Sequence, residues 1–179
     1  METMRLLIAG FGGQGVLFAG KFLAYAGLMG ERQVSWLPSY GPEMRGGTAN
    51  CSVILSDTPI GSPIVDDPDC LIAMNLPSFE KYCGSVRPGG ALIYDSTLIN
   101  TGVARADITA FAVPATKLAA DAGLGGLSNM ILIGKFLKER LPEESEIVRL
   151  ALEKVVPPKK ANLIDLNRKA IALGLAFEG

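Results

Sequence analysis

The chain has 179 residues, 49% of them hydrophobic and 20% charged, with 17 Lys and Arg against 18 Asp and Glu for a net charge of −1. That length fits a single domain over residues 1–179, able to bury about 70% of its unfolded surface, and the apolar excess points to partner subunits. The near-neutral balance gives no electrostatic footprint for nucleic acid, and the lack of histidine removes Ser-His, Cys-His and His-metal chemistry.

An apolar run from Leu6 leads into Gly10-Phe11-Gly12-Gly13-Gln14-Gly15 and then into a helix-forming segment, Val16 to Met29. Gly10, Gly12 and Gly15 match G-x-G-x-x-G, in which glycines permit a tight turn and bring backbone N–H groups against an anion at a helix N-terminus. Glycines also serve where two backbones merely pack closely, and the residues leave both readings open. A dinucleotide is disfavoured, because the next strand, Gln33 to Leu37, leads into Pro38-Ser39 with no acidic residue to hold a ribose hydroxyl. A phosphate loop over Gly15 to Lys21 fails too, since Phe22 stands where Mg²⁺ needs a hydroxyl. Val16 to Met29 carries only Lys21 as a charge, which predicts a helix buried on nearly every side and stopped by a left-handed Gly30.

The loop Pro38 to Gly47 is dense in turn formers and holds Tyr40, Glu43 and Arg45; Arg45 either meets an anionic group or pairs with Glu43 to fix the loop. Thr48 to Ser56 alternates Ala49, Cys51, Val53 and Leu55 with Asn50, Ser52, Ile54 and Ser56, a strand with one wetter face. A turn-rich connection with a short edge strand near Ile64-Val65 follows. Cys70 to Met74 and Ala91 to Tyr94 read as strands buried on both faces, and between them Asn75-Leu76-Pro77-Ser78 opens a helix. Asp95-Ser96 falls where an open α/β sheet presents functional groups, and it is ordinary turn chemistry as well.

Phe111 to Pro114 is a further strand. Thr116 is expected to cap a helix to Ala122, and Ser128-Asn129 to cap one from Met130 to Arg140. A helix from Pro142 with Glu143, Glu144 and Glu146 at its positive end precedes a last helix, Lys160 to Leu173, stopped by Gly174. The pattern predicts an α/β fold: a three-layer α/β/α sandwich with a mostly parallel or mixed sheet and a helical C-terminal part. Cys51, Cys70 and Cys83 follow no zinc or iron–sulfur spacing and read as buried thiols of a reducing cytosol. Glycines interrupt the first 30 residues too often for a signal peptide, and no stretch reaches 18 uninterrupted apolar residues, so a cytoplasmic protein without a membrane span is expected.

Taken in order, Gly10-Phe11-Gly12-Gly13-Gln14-Gly15, the loop Ser39 to Asn50, Ile72-Ala73-Met74-Asn75, Pro88-Gly89-Gly90 and Asn167-x-x-Ala170-x-x-x-Gly174 resemble the gamma subunit of 2-oxoacid:ferredoxin oxidoreductases. The resemblance covers nearly the whole chain and is nearest to the 2-oxoglutarate type. It implies a subunit of a thiamine-diphosphate enzyme that oxidatively decarboxylates a 2-oxoacid, transfers the acyl group to coenzyme A and passes electrons to ferredoxin. It implies alpha and beta subunits as partners, with a delta subunit as a further option, and thiamine diphosphate, Mg and iron–sulfur clusters held by chains other than this one. In keeping with that, the sequence has no Gly-Asp-Gly thiamine motif.

The resemblance leaves this chain without catalytic or metal-binding residues of its own. It makes Gly10, Gly12, Gly13, Gln14 and Gly15, with Tyr40, Glu43, Arg45, Gly46 and Gly47, the candidate functional surface. That surface either helps form the coenzyme A or active-site entrance, or serves only to dock partner subunits. The apolar first helix adds the expectation of a homodimer when the chain is isolated. The rival classes are a stand-alone dinucleotide-binding oxidoreductase and a purely structural assembly subunit.

Overall fold

A computed structural model describes residues 3–39 and 48–179. Its strands are β1 (Thr3–Phe11), β2 (Gln33–Ser39), β3 (Thr48–Ser56), β4 (Cys70–Ala73), β5 (Ala91–Asp95) and β6 (Thr109–Val113). Its helices are α1 (Val16–Met29), α2 (Leu76–Tyr82), α3 (Ala115–Asp121), α4 (Ser128–Arg140), α5 (Ser145–Val155) and α6 (Asn162–Ala176). The strands form one sheet in the order β2-β3-β1-β4-β5-β6. β1, β4, β5 and β6 run parallel, whereas β3 is antiparallel to both β1 and β2. The sheet is therefore mixed, and β1 is the strand on which parallel and antiparallel pairing meet.

Strand alternation sends alternate side chains to opposite faces. Leu6 and Ile8 of β1, Cys51, Val53 and Leu55 of β3, and Ile72 and Ile93 join Phe22 and Leu23 of α1, Ile131 and Phe136 of α4 and Leu152 of α5 in the main core. On the opposite face Leu7, Leu71, Leu92 and Tyr94 pack with Phe79 of α2 and with Val86 and Ile99. The Phe79 and Tyr94 rings meet edge to face at 5.4 Å. The three-layer expectation holds with a lopsided distribution: α1 and the C-terminal helices share one face, and α2 sits on the other.

The second face of β3 is drier than its alternation predicts. Ser52, Ile54 and Ser56 are all buried, because the connection from Pro59 to Val65 lies over them. Ser56 Oγ and Thr3 Oγ1 are hydrogen-bonded at 2.9 Å. No strand forms at Ile64-Val65; those residues are irregular.

α1 packs between the sheet and α5, with Gly20 directly beneath Cys51 and Trp36. Its small residues thus serve packing within the chain, and Lys21 and Leu28 remain exposed. At its C-terminus Gly30 has φ −84° and the left-handed residue is Glu31, φ 58°. Arg32 N–H donates to Gly27 O at 2.9 Å and Glu31 N–H to Leu28 O at 3.1 Å, which is the Schellman pair of bonds displaced one residue past the glycine.

The C-terminal helices depart from expectation in ways packing explains. α5 begins at Ser145 rather than Pro142, and Glu143 instead pairs with Arg32 at the end of α1. α4 begins at Ser128 with Leu127 at its N-cap and no side-chain cap among the described residues. Gly174 does not stop α6, which runs on to Ala176. A Cβ at Gly134 of α4 would lie 2.1 Å from Ile171 O, and one at Gly174 would lie 2.0 Å from Ile131 O, so the two glycines let the backbones of α4 and α6 touch. Lys135, 2% exposed, fastens the C-terminal end there: Nζ donates to Phe177 O at 3.1 Å, pairs with Glu139 at 2.9 Å and lies over the Phe111 and Phe177 rings. Among the described residues no helix is long and apolar enough to cross a membrane.

Gly134→Ala is expected to force α4 and α6 apart, costing about 2–3 kcal/mol and lowering the melting temperature by roughly 5–10 °C in a thermal melt. Glu31→Gly is expected to raise stability by about 0.5–1 kcal/mol, read by urea unfolding, because it relieves a left-handed non-glycine residue.

Candidate functional site

The glycine turn lies at the carboxyl end of β1, where the parallel part of the sheet begins. Gln14 N–H closes it by donating to Phe11 O at 3.1 Å. Gly13 (φ +96°) and Gly15 (φ +75°) are left-handed, a conformation that L side chains adopt only at a cost. Gly15 is also pressed against α4, since a Cβ there would sit 2.4 Å from Asn129 Nδ2. Gly10 faces Gln14 Oε1 and Met74 with no room for a Cβ, at 2.7 and 2.9 Å.

The Gln14 side chain folds inward over the strand ends. Its Oε1 accepts from Phe11 N–H at 2.7 Å and from Asn75 Nδ2 at 3.3 Å, and its Nε2 donates to Met74 O at 3.0 Å. Asn75 in turn caps α2 by accepting from Ser78 N–H at 2.8 Å. Asn129 Nδ2 donates to Gly15 O at 3.1 Å; its buried Oδ1 has no hydrogen-bond partner among the described residues. Three side-chain amides thus tie together the N-termini of α1, α2 and α4. Asn75 reads in the sequence as a helix start and Asn129 as a helix cap; their bonds to the turn link positions 61 and 114 residues apart, which no local pattern signals.

The outward side of the turn is apolar. Phe11, Leu17, Phe18 and Ala49 join Gly12, Gly13, Gly15 and Val16 around a shallow hollow of about 280 Å³, and Phe11 is 38% exposed. Gly10, Gly12, Gly13, Gln14 and Gly15 are therefore brought together, with Gln14 pointing inward and the hollow facing outward. Tyr40, Glu43, Arg45, Gly46 and Gly47 lie outside the described residues. Thr48, which follows them, pairs with Phe11 in the sheet register, and Ala49 with Gly10, so the chain enters β3 beside the glycine turn.

Asp95, at the end of β5, is a structural group. It is 1% exposed and its carboxylate accepts from Thr97 N–H at 3.0 Å, Thr116 N–H at 3.1 Å and Thr116 Oγ1 at 2.6 Å. Thr116 lies inside α3, and the cap expected of it comes from Asp95. Burial pushes the Cys51 and Cys70 thiols up to about 12, and burial also raises Cys83 against the opposing charge of Arg105. A thiol so shifted is protonated at neutral pH and is a poor nucleophile and metal ligand. No group of three or more Cys, Asp or Glu placed to hold a metal occurs among the described residues.

The chain matches the model of the family described as pyruvate ferredoxin/flavodoxin oxidoreductase over residues 5–177. It is similar to the ketoisovalerate oxidoreductase subunit VorA of Methanothermobacter marburgensis, 39% identical over 97% of this chain, and it spans only 36% of that protein. It is 31% identical to the 2-oxoglutarate synthase subunit KorC of Methanocaldococcus jannaschii, covering 92% of this chain and 90% of that one. In structure it resembles the gamma subunit of the keto/oxoacid ferredoxin oxidoreductase of Geobacter sulfurreducens, with a TM-score of 0.81 at 27% identity, covering 96% and 95% of the two chains.

With Gln14 filling the crevice, millimolar NAD(P)H is expected to leave the melting temperature of the isolated chain unchanged; a shift that saturates with nucleotide would contradict the geometry. The thiols set an alkaline limit. Their folded pKa lies above the unfolded value of 9.0, so their contribution is complete below pH 9 and is lost as pH rises toward 12. Unfolding free energy should fall by an amount that approaches roughly 1.4 kcal/mol per pH unit per thiol inside that window, measurable by urea titration at pH 9, 10 and 11.

Proposed function

The chain belongs to the pyruvate ferredoxin/flavodoxin oxidoreductase family, and from that premise we propose that it acts as the gamma subunit of a 2-oxoacid:ferredoxin oxidoreductase. The complex would oxidise and decarboxylate a 2-oxoacid, deliver the acyl group to coenzyme A and reduce ferredoxin. Thiamine diphosphate, Mg and the iron–sulfur clusters belong in this reading to the alpha and beta subunits, with a delta subunit where one is present. Thiamine supplies the decarboxylation chemistry; this chain supplies binding surface and orientation.

The observation that carries the reading is the rigid glycine turn with an apolar outer hollow. A solvent-facing Phe11 beside Leu17, Phe18 and Ala49 is the composition of a protein contact. Arg45, in the sequence segment with Tyr40, Glu43, Gly46 and Gly47 that precedes β3, would supply the charge that a coenzyme A phosphate requires. We place the coenzyme A entrance where these two segments adjoin the catalytic subunits, in a cytoplasmic complex. The same hollow is the surface through which isolated copies would form the homodimer, since packing inside the chain covers most of α1. The loop Ser39 to Asn50 favours 2-oxoglutarate as the acid, and the higher identity to a ketoisovalerate oxidoreductase subunit makes a branched-chain acid its competitor.

Affinity purification from the source cells should recover thiamine- and cluster-bearing chains, and the complex should reduce an electron acceptor anaerobically with 2-oxoglutarate and coenzyme A. Recovery of this chain without partners or activity would overturn the proposal. In the active complex Arg45→Ala should raise KM for coenzyme A roughly 10- to 100-fold, the worth of a charge-assisted contact. Unchanged kinetics would instead make the chain a purely structural subunit.

A further inference from the structure

We propose that Gln14 is a positioning residue for the outer face of the glycine turn, a role that rests on the coenzyme A reading above. In an open α/β sheet, ligands are normally received in the crevice beyond the carboxyl ends of the strands, where the strand order switches. Here that crevice lies between β1 and β4, whose ends are joined by Met74 N–H donating to Ala9 O at 2.8 Å. The Gln14 side chain fills it. Phe11 N–H and Met74 C=O, the strand-end groups a ligand would meet there, are both taken by the same amide, at 2.7 and 3.0 Å. Asn75 Nδ2 donates to it from the third side at 3.3 Å.

A ligand or partner is consequently left with the outward side of the turn, whose backbone path is set from within. A primary amide offers an acceptor and a donor at once, and this position uses both: acceptor toward Phe11 and Asn75, donor toward Met74. A carboxylate of the same shape would keep the first and turn a charge against the Met74 carbonyl. Asn129 secures the other end of the turn through Gly15 O. Gln14 touches no reacting group in this arrangement. It determines where Phe11, Gly12 and Gly13 stand when coenzyme A passes them.

The test uses the whole complex carrying Gln14→Ala or Gln14→Glu, with subunit stoichiometry measured beside steady-state kinetics. The expected result is an intact complex in which KM for coenzyme A rises at least fivefold while KM for the 2-oxoacid stays within twofold. A variant that assembles with KM for coenzyme A within twofold of the wild type overturns the proposal. So does failure of both variants to assemble, which would make the amide a folding or docking element. A wild-type complex without coenzyme A-dependent turnover would defeat the underlying reading instead, and that is seen before any variant is made.

Discussion

The candidate functional edge of this molecule depends on how β1 is handed to α1. Four residues, Gly12 to Gly15, must reverse the chain between a strand paired on both sides and a helix packed against the sheet and α5. Left-handed backbone at Gly13 and Gly15 makes the reversal possible. The inward amide of Gln14 fastens it, because it pairs with Phe11 N–H and with the part-buried Met74 carbonyl at the strand ends. An unpaired buried backbone group costs about as much as a lost hydrogen bond, 1–3 kcal/mol, so the side chain and the turn hold each other in place.

The parallel half of the sheet, α1, the helix start at Asn75 and β3 were legible from the sequence, because each has a local cause: an apolar run, a glycine corner, a polar residue and proline at a helix start, an alternation. Most of what was not legible is non-local. The dry second face of β3 comes from a connection crossing it, and alternation reports only which residues share a face, not what covers them. Gly174 carries the usual mark of a helix stop, yet lies inside α6 because α4 presents Gly134 against it. Glu31, rather than Gly30, takes the left-handed position, since the hydrogen-bond pattern at the end of α1 selects the residue and composition does not.

The candidate site divides in the same way. Its glycines stood out by spacing, and the structure gives them distinct tasks: conformational at Gly13 and Gly15, steric at Gly10 and again at Gly15. The two asparagines that hold the turn were visible only as helix starts, because their partners lie far away in sequence. Asp95 drew attention by its place at a strand end, and its hydrogen bonds show that place being used to fasten α3. A strand-end carboxylate with all its bonds directed to its own chain has little left for a ligand.

A glycine-rich corner of this fold can receive a ligand in two ways, and the difference lies in what fills the crevice behind it. Where the crevice is empty, backbone N–H groups at the helix N-terminus point into it and a pyrophosphate completes them. Where a side-chain amide fills it, the corner becomes a wall, and only its outer surface is available. Here the wall carries Phe11, Leu17, Phe18 and Ala49, which are groups suited to another protein surface.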